Sequence, residues 1–145
     1  MTHKPLKPGE VLAAAPPGAD AILGFVGHVE TPWTQLSDCP KAPDPDGPDC
    51  ALVLHPDWAP ALAGIERFEW IEVLLWFHRA RRDLLLIAPD HAEGPRGVFS
   101  LRSPVRPNPV AVSRVRLVAR QGNRLVVRGL DALDGTPLID INPAR

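Results

Sequence analysis

The sequence predicts an all-β protein, a small closed or nearly closed β-barrel of about eight strands with one short helix. Three observations lead to this fold class. The 145 residues include 18 prolines, which break helix interiors and favour β-structure with ordered loops. Apolar runs are short, and several alternate with polar residues as half-buried strands do. No strand–helix alternation and no internal repeat is visible, and barrel closure would remove exposed strand edges.

Each predicted strand is an apolar run bounded by Pro, Gly, Asn or Asp. The run at 69–78 is the most apolar and is expected to be the most buried. Residues 56–63 fit one or two helical turns that end at Gly64. A single longer helix over 56–78 is the alternative, and Gly64 and the β-rich composition after it argue against it. The predicted strands are residues 22–29, 51–55, 69–78, 84–88, 97–101, 112–119, 124–130 and 138–141.

The composition indicates how the chain is divided into domains and in which cellular compartment the protein is found. Residues 1–20 have no periodic apolar pattern and are predicted to be a flexible N-terminal arm, with a barrel domain over 21–145. Residues 31–49 form a long loop dense in Pro and Asp, and such loops tend to be functional or disordered. No run is long enough for a membrane span, and no secretion signal is visible. Cys39 and Cys50 are expected to be reduced, in a cytoplasmic protein.

Residues 112–130 carry the clearest local pattern, a hairpin around Gln121-Gly122-Asn123. Apolar side chains on one face alternate with arginines on the other. The segment 79–128 holds eleven Arg against three acids, whereas 1–78 holds four Lys or Arg against eleven acids. Guanidinium groups bind phosphate or carboxylate in a bidentate fork, so this segment predicts a surface for such partners. A solvated strand face is the alternative.

Several common sites have no support in the sequence. There is no glycine-rich dinucleotide motif, no phosphate-binding loop and no zinc-type spacing of Cys and His. The five histidines are scattered, so no metal site is predicted. Cys39 has no identifiable base beside it and is interpreted as a plain loop thiol.

The segment 97–113 reads Gly-Val-Phe-Ser-Leu-Arg-Ser-Pro-Val-Arg-Pro-Asn-Pro-Val-Ala-Val-Ser. Its three prolines fix φ and push the residues before them into extended conformations, so a stiff loop is expected. That loop presents Arg102, Ser103, Arg106 and Asn108 with little freedom left to lose, which suits recognition of a polar ligand. A rigid connection with outward arginines is the alternative.

This segment, followed by Gly-Leu-Asp-Ala-Leu-Asp-Gly-Thr-Pro at 129–137 and by Asp140-Ile141, resembles the TsaA/TrmO (YaeB-like) family. Further matches are Gly24-Phe25-Val26, residues 64–68 and the strand end Trp76-Phe77-His78. The resemblance covers about 22–142. It implies an S-adenosylmethionine-dependent tRNA methyltransferase that acts on threonylcarbamoyladenosine next to the anticodon. It also implies a β-barrel that dimerises, with the methyl donor bound near the subunit interface.

The resemblance further implies particular binding residues. Arg102 is expected to hold the donor's carboxylate, Asp131 or Asp134 its ammonium or ribose hydroxyls, and Phe77 its adenine. His78 is the candidate general base, if one is needed. Substrate contacts are expected from Arg106, Asn108, Arg114 and Arg116, and the hairpin arginines together with Arg79, Arg81 and Arg82 could hold the anticodon stem-loop. The full set for the donor is Ala42, Pro43, Phe77, His78, Arg102, Val112, Asp131, Ala132, Leu133 and Asp134.

The sequence departs from the family pattern at one place inside the motif. Val110-Ala111 stands where the family usually has Ile-Gly, so a side chain partly blocks backbone approach there. The chain also ends sooner after Asp140-Ile141 than family members do. These departures bear on the acceptor more than on the donor, because a shared fold does not fix the acceptor. Methylation of a small metabolite and a non-catalytic donor-binding module are therefore the alternatives.

Overall fold

The computed structural model describes residues 3–145, so the first two residues of the predicted arm lie outside the described part. It contains short strands and four 3-10 helices, and the all-β prediction is confirmed. The strands are β1 (Val11–Leu12), β2 (Gly27–Glu30), β3 (Asp49–Leu54), β4 (Trp70–Trp76), β5 (Leu84–Ile87), β6 (Arg96–Gly97), β7 (Val110–Gln121), β8 (Arg124–Arg128) and β9 (Pro137–Pro143). The 3-10 helices are Leu36–Asp38, Pro56–Leu62, Ile65–Arg67 and Val98–Ser100.

Six strands close into a barrel in the order β2-β3-β8-β7-β4-β9, which confirms the predicted closed architecture. Closure pairs the backbone of every barrel strand on both sides, so this sheet has no open edge. The other strands form a small separate sheet in the order β1-β5-β6. The barrel therefore has six strands rather than about eight.

The chain divides into two compact units. The barrel unit comprises Ile22–Trp76 and Ala111–Arg145, and the small unit comprises the residues up to Ala21 together with Phe77–Val110. The small unit has its own core of Leu84, Ile87 and Val98, against which Leu101 and Val105 pack. The barrel core consists of inward side chains from all six strands, among them Val29, Leu52, Ile71, Val73, Leu75, Val115, Leu125, Val127 and Leu138.

The β7–β8 hairpin forms where the sequence predicts it. Gln121 pairs with Arg124 across the turn, and Gly122 has φ 65°, a left-handed conformation that favours glycine. An irregularity between Leu117 and Ala119 shifts the register. The extra residue there bends the strand and raises its local twist, as barrel closure requires.

Two strand predictions need correction. Residues 97–101 are not a strand, because pairing ends at Gly97 and Val98–Ser100 turn into a 3-10 helix. Residues 22–26 lie outside β2, which begins only at Gly27, and Ile22 is 99% exposed. An apolar run alone does not make a strand; it needs a paired neighbour and a core to face.

The 3-10 helix Pro56–Leu62 agrees with the predicted short helix, and no longer helix is present over 56–78. Pro56 occupies the first helical turn, where the missing amide proton costs nothing, and Pro60 lies inside the segment. Gly64 follows with φ 85° and separates this turn from the next. Two prolines and a left-handed glycine therefore keep the segment short.

Residues 4–13 belong to the small unit. Val11 and Leu12 pair with β5 as β1. The Lys7 ammonium lies 2.7 Å from an Asp90 carboxylate oxygen, and the amide of Ala88 donates to Glu10 at 3.3 Å. The division into an N-terminal arm and a barrel domain at residue 20 stays a prediction. No helix in the described residues is long and apolar enough to cross a membrane.

Candidate functional site

A loop of the barrel unit at residues 129–136, here called the aspartate loop, carries four of the predicted donor-binding residues. Asp131 is fixed in it by a hydroxyl from the barrel wall. The Ser113 side chain, 3% exposed on β7, donates to Asp131 Oδ1 at 2.6 Å. A buried hydroxyl that donates to a carboxylate holds it in one orientation. No other side-chain donor within residues 3–145 hydrogen-bonds this carboxylate.

Asp134 is held by the loop that directly follows β2. The amide of Thr31 donates to Asp134 Oδ1 at 3.0 Å, and the Thr31 hydroxyl donates to the carbonyl of Ala132 at 2.7 Å. The indole of Trp33 donates to the carbonyl of Leu130 at 3.1 Å. The loop that follows β2 therefore holds the aspartate loop at three points. Ala132 and Leu133, between the two aspartates, are buried in the core.

Gly129 begins the aspartate loop at a point where two chain segments touch. Its φ is 68°, and a Cβ there would lie 1.6 Å from the carbonyl oxygen of Asp44. The amide of Asp44 donates to the carbonyl of Gly129 at 2.9 Å, and the amide of Gly129 donates to that of Pro48 at 2.8 Å. Only glycine combines this backbone conformation with so close an approach.

Two further predicted donor-binding residues, Ala42 and Pro43, lie next to the contact at Gly129. They directly precede Asp44, whose backbone pairs with Gly129. Ala42 is exposed and Pro43 is half-buried. The long loop at 31–49 is therefore ordered against the aspartate loop, and the structure brings these two predicted segments together.

The thiol of Cys39 lies close enough to Asp131 to be affected by its charge. Burial raises the pKa of Cys39 above its ordinary value of 9.0, and the negative charge of Asp131 adds to the shift. Burial likewise raises the pKa of Cys50. Both cysteines are free, in agreement with the expected reduced thiols, and both are held as neutral thiols rather than as reactive thiolates.

Val112 precedes Ser113 on β7 and faces outwards, with 47% of its side chain exposed. Two residues further on, the guanidinium of Arg114 lies over the ring of Trp70, 4.3 Å from its centroid. Arg116 pairs with Glu69 at 3.0 Å. These predicted residues thus share the outer face of β7, and each arginine already has an intramolecular partner.

The same holds for the remaining arginines of the hairpin. Their guanidinium groups lie within 3.4 Å of carboxylate oxygens that come from other strands and turns. Such exposed pairs contribute little stability, but they neutralise the charge of the face. The pairs are Arg120 with Glu66, Arg124 with Glu30, and Arg128 with Asp49.

The other predicted donor residues belong to the small unit. Phe77 is half-buried, and its amide donates to the carbonyl of Pro109 at 2.9 Å. His78 and Arg102 are exposed, and neither side chain makes a hydrogen bond or ion pair with the residues that the structure describes. The role of Arg102 as a donor ligand stays a prediction.

The two predicted substrate residues of that loop differ in their surroundings. Arg106 donates to the carbonyls of Val98 at 3.1 Å and Leu101 at 2.7 Å. These hydrogen bonds connect the two ends of the segment 98–106. Asn108 is exposed, and its side-chain oxygen accepts from Arg82 at 3.4 Å. Arg106 is therefore committed to its own backbone, whereas Asn108 remains accessible.

An open groove of about 460 Å³ lies on the barrel unit beside the aspartate loop. Thr31, which holds Asp134, forms part of its wall, and so do Cys50 and the ion-paired Glu30 and Arg124. No group of three or more metal-ligating side chains occurs in the described residues.

Sequence reasoning missed Ser113, Thr31 and Gly129. Ser113 carries a readable signal, because it falls in the same alternation phase as Val115 and is therefore a polar residue on the core face. Thr31 and Gly129 act through segments far away in sequence, which no local pattern shows.

A closed all-β barrel with a glycine-anchored aspartate loop defines a class of small ligand-binding domain without a Rossmann fold. The model of the family "tRNA-methyltransferase O N-terminal domain" matches residues 28–144. The chain therefore belongs to this family, which confirms the resemblance found in the sequence.

Relatives agree with this assignment. "Probable S-adenosyl-L-methionine-binding protein VirR" of Rhizobium radiobacter is 47% identical over 140 residues, 97% of this chain and 80% of that protein. An "S-adenosyl-L-methionine-binding protein" of Archaeoglobus fulgidus is 39% identical over 120 residues, 83% of this chain and 86% of that protein. The cofactor implied by the sequence motifs is thus the one for which these relatives are named.

Solved structures show the same fold. "Crystal structure of TrmO" superposes with a TM-score of 0.73 at 31% identity and covers 88% of this chain. TrmO from Pseudomonas aeruginosa superposes with a TM-score of 0.72 at 28% identity, again over 88% of this chain. The chain spans 58% and 57% of the lengths of those two solved chains.

Proposed function

We propose that this chain binds S-adenosylmethionine and transfers its methyl group to N6 of threonylcarbamoyladenosine next to the anticodon of a tRNA. Membership in the tRNA-methyltransferase O N-terminal family supports the reaction class. The observation that carries the proposal is the aspartate loop, in which Ser113 and Thr31 hold two carboxylates in fixed orientations.

The chemistry of these residues fits the donor. Its ammonium and ribose hydroxyls are hydrogen-bond donors, and Asp131 and Asp134 are acceptors already oriented by the protein. Its adenine needs an apolar wall, and the resemblance assigns part of that wall to the chain at Ala132 and Leu133, between the two aspartates. Preorganisation lowers the ordering cost of binding, so these groups favour affinity.

The resemblance implies further donor contacts from residues of the small unit. The guanidinium of Arg102, which has no ion pair within residues 3–145, is suited to the carboxylate of the donor's amino-acid tail. Phe77 offers an aromatic surface for adenine, and His78, exposed and without a hydrogen bond within the described residues, is the candidate to accept the proton from the acceptor nitrogen.

When bound, the donor supplies an electrophilic methyl group on a sulfonium. The contribution of the protein is chiefly positional, because in-line displacement requires the acceptor nitrogen to lie behind that methyl carbon. We place the reaction in the cytoplasm and in a homodimer, as the resemblance implies.

A second candidate is a donor-binding module without transferase activity. It is favoured by the names of the relatives from Rhizobium radiobacter and Archaeoglobus fulgidus, which mention S-adenosyl-L-methionine binding alone. It shares the donor site and differs only in having no acceptor. Methylation of a small metabolite would use the same site with another acceptor.

Transfer of a labelled methyl group separates these functions. The protein is incubated with methyl-labelled donor and either bulk tRNA or a metabolite extract, and the label is traced by nucleoside mass spectrometry. Label on threonylcarbamoyladenosine supports the proposal. Label confined to a metabolite contradicts the tRNA assignment, and donor binding without transfer to either pool supports the binding module.

A further inference from the structure

Phe99 is the most exposed aromatic side chain of the small unit, with 79% of its surface accessible. It lies on the single 3-10 turn Val98–Ser100, here extended to residues 96–100 and called the Phe99 turn. The Ser100 hydroxyl donates to the carbonyl of Gly97 at 2.7 Å, and Val98 is buried in the core of the small unit. Val98 therefore fixes the turn to the core of the small unit, while the ring of Phe99 is exposed to solvent.

The guanidinium of Arg106 contacts the Phe99 ring. The guanidinium of Arg106 lies 5.9 Å from the ring centroid, within the range of a cation–π interaction. Arg106 cannot easily move away, because the carbonyls of Val98 and Leu101 accept hydrogen bonds from it. The ring is therefore presented to solvent in a defined orientation, which is unusual for an exposed phenylalanine.

The small unit, to which the Phe99 turn belongs, has a net positive charge. The small unit carries eight Lys or Arg against five acids. Arg79 and Arg96 are exposed and make no side-chain hydrogen bond or ion pair within residues 3–145. The barrel unit has the opposite balance, and its hairpin arginines Arg116, Arg120, Arg124 and Arg128 all have carboxylate partners.

We propose that the Phe99 turn is a stacking platform for an unpaired RNA base, with Arg96 contacting a neighbouring phosphate. Unpaired bases stack on exposed aromatic rings and on arginine planes, and stacking is worth more to single strands than to duplexes. This inference rests on RNA being the acceptor in the proposed function. It adds an RNA contact on the small unit to those proposed for the hairpin face, where four of the five arginines have carboxylate partners.

A second copy of this chain is the alternative occupant, and the sedimentation experiment below tests it. The net charge of the small unit favours a polyanion instead. An RNA backbone is complementary to that charge, and its counterions are released on binding.

The test compares binding of two fluorescein-labelled RNAs by fluorescence anisotropy. One is a hairpin with a single-stranded loop, and the other is its stem as a blunt duplex. Phe99→Ala is expected to weaken hairpin binding about tenfold and to leave duplex binding unchanged. Phe99→Trp should retain the wild-type affinity, because it keeps an aromatic surface. Leu85→Ala is the matched control, since Leu85 is a 51% exposed apolar residue of the same unit.

Arg96→Ala tests the phosphate contact separately. It should weaken hairpin and duplex binding alike and reduce the slope of log affinity against log salt by about one. Calorimetric titration with S-adenosylmethionine accompanies each variant, and donor affinity should not change. If wild type binds RNA but not the donor, the platform stands and the proposed methyl transfer falls.

Three results would overturn the inference. The first is the absence of hairpin binding by wild type, and the second is equal hairpin affinity for Phe99→Ala and Leu85→Ala. The third is a loss of dimers in sedimentation of Phe99→Ala with unchanged RNA affinity, which would assign the ring to a contact between copies.

Discussion

Replacing Gly129 by alanine tests the contact that anchors the aspartate loop. A Cβ would lie 1.6 Å from the Asp44 oxygen, 2.5 Å from its carbonyl carbon and 3.0 Å from its Cα. Since Cβ atoms do not approach other atoms closer than about 3 Å, the Asp44 backbone must move by more than an ångström. That movement breaks the backbone hydrogen bonds of Asp44 and Pro48 with Gly129, which measure 2.9 and 2.8 Å.

The size of the effect follows from these terms. The left-handed φ of 68° costs a non-glycine residue about 1–2 kcal/mol. Each lost backbone hydrogen bond costs a further ~1 kcal/mol. We expect Gly129→Ala to lower the free energy of unfolding by about 3–4 kcal/mol, measured by urea denaturation followed by tryptophan fluorescence.

The matched control is Gly122→Ala in the hairpin turn. Gly122 has nearly the same φ, 65°, but a Cβ there meets no atom within 4 Å. It should lose only the conformational contribution of about 1–2 kcal/mol. If the two variants lose equal stability, the close contact between Gly129 and Asp44 does not exist as described.

Three further predictions concern single side chains. Ser113→Ala should cost about 1.5 kcal/mol of unfolding free energy in urea, because it removes a buried 2.6 Å bond to a carboxylate; no loss would mean that the bond is absent. Asp131→Asn should lower the pKa of Cys39 part of the way towards 9.0, since burial, the larger cause, remains; the pH dependence of alkylation at Cys39 measures it, and an unchanged profile would separate the two residues. The hydrogen bond from Arg81 lowers the pKa of Asp83 below 3.8, so the stability it contributes is present above pH 3.8 and is lost as the pH falls through the lower folded value. In Arg81→Gln, carboxyl NMR should show Asp83 titrating nearer 3.8, and an unshifted titration would contradict the pairing.

Much of the barrel could be predicted because its signals are local. The β7–β8 hairpin has alternating side chains and a glycine turn, and β4 is apolar at every position except Glu72. The 3-10 turn at Val98–Ser100 could not be predicted in this way. An apolar Phe99 reads as a buried strand residue, and only the structure shows that it faces solvent.

The candidate site was predictable in part. The family motifs single out Asp131 and Arg102, and local alternation could have added Ser113. The carboxylate partners of the hairpin arginines could not be predicted, since Glu30, Glu69 and Asp49 lie on distant segments and meet the hairpin only through barrel register. The phosphate-binding hairpin face stays a prediction, with four of its five arginines in ion pairs that charge counting could not show.

Calorimetric titration with S-adenosylmethionine is the most direct test that the aspartate loop holds the donor. Wild type should bind one donor per chain, and Asp131→Asn should bind at least about tenfold more weakly because a charged hydrogen-bond acceptor is lost. Asp140→Asn, which changes an exposed carboxylate on β9, should bind as wild type does. No heat from wild type at millimolar donor, or equal affinity for the two variants, would contradict the account.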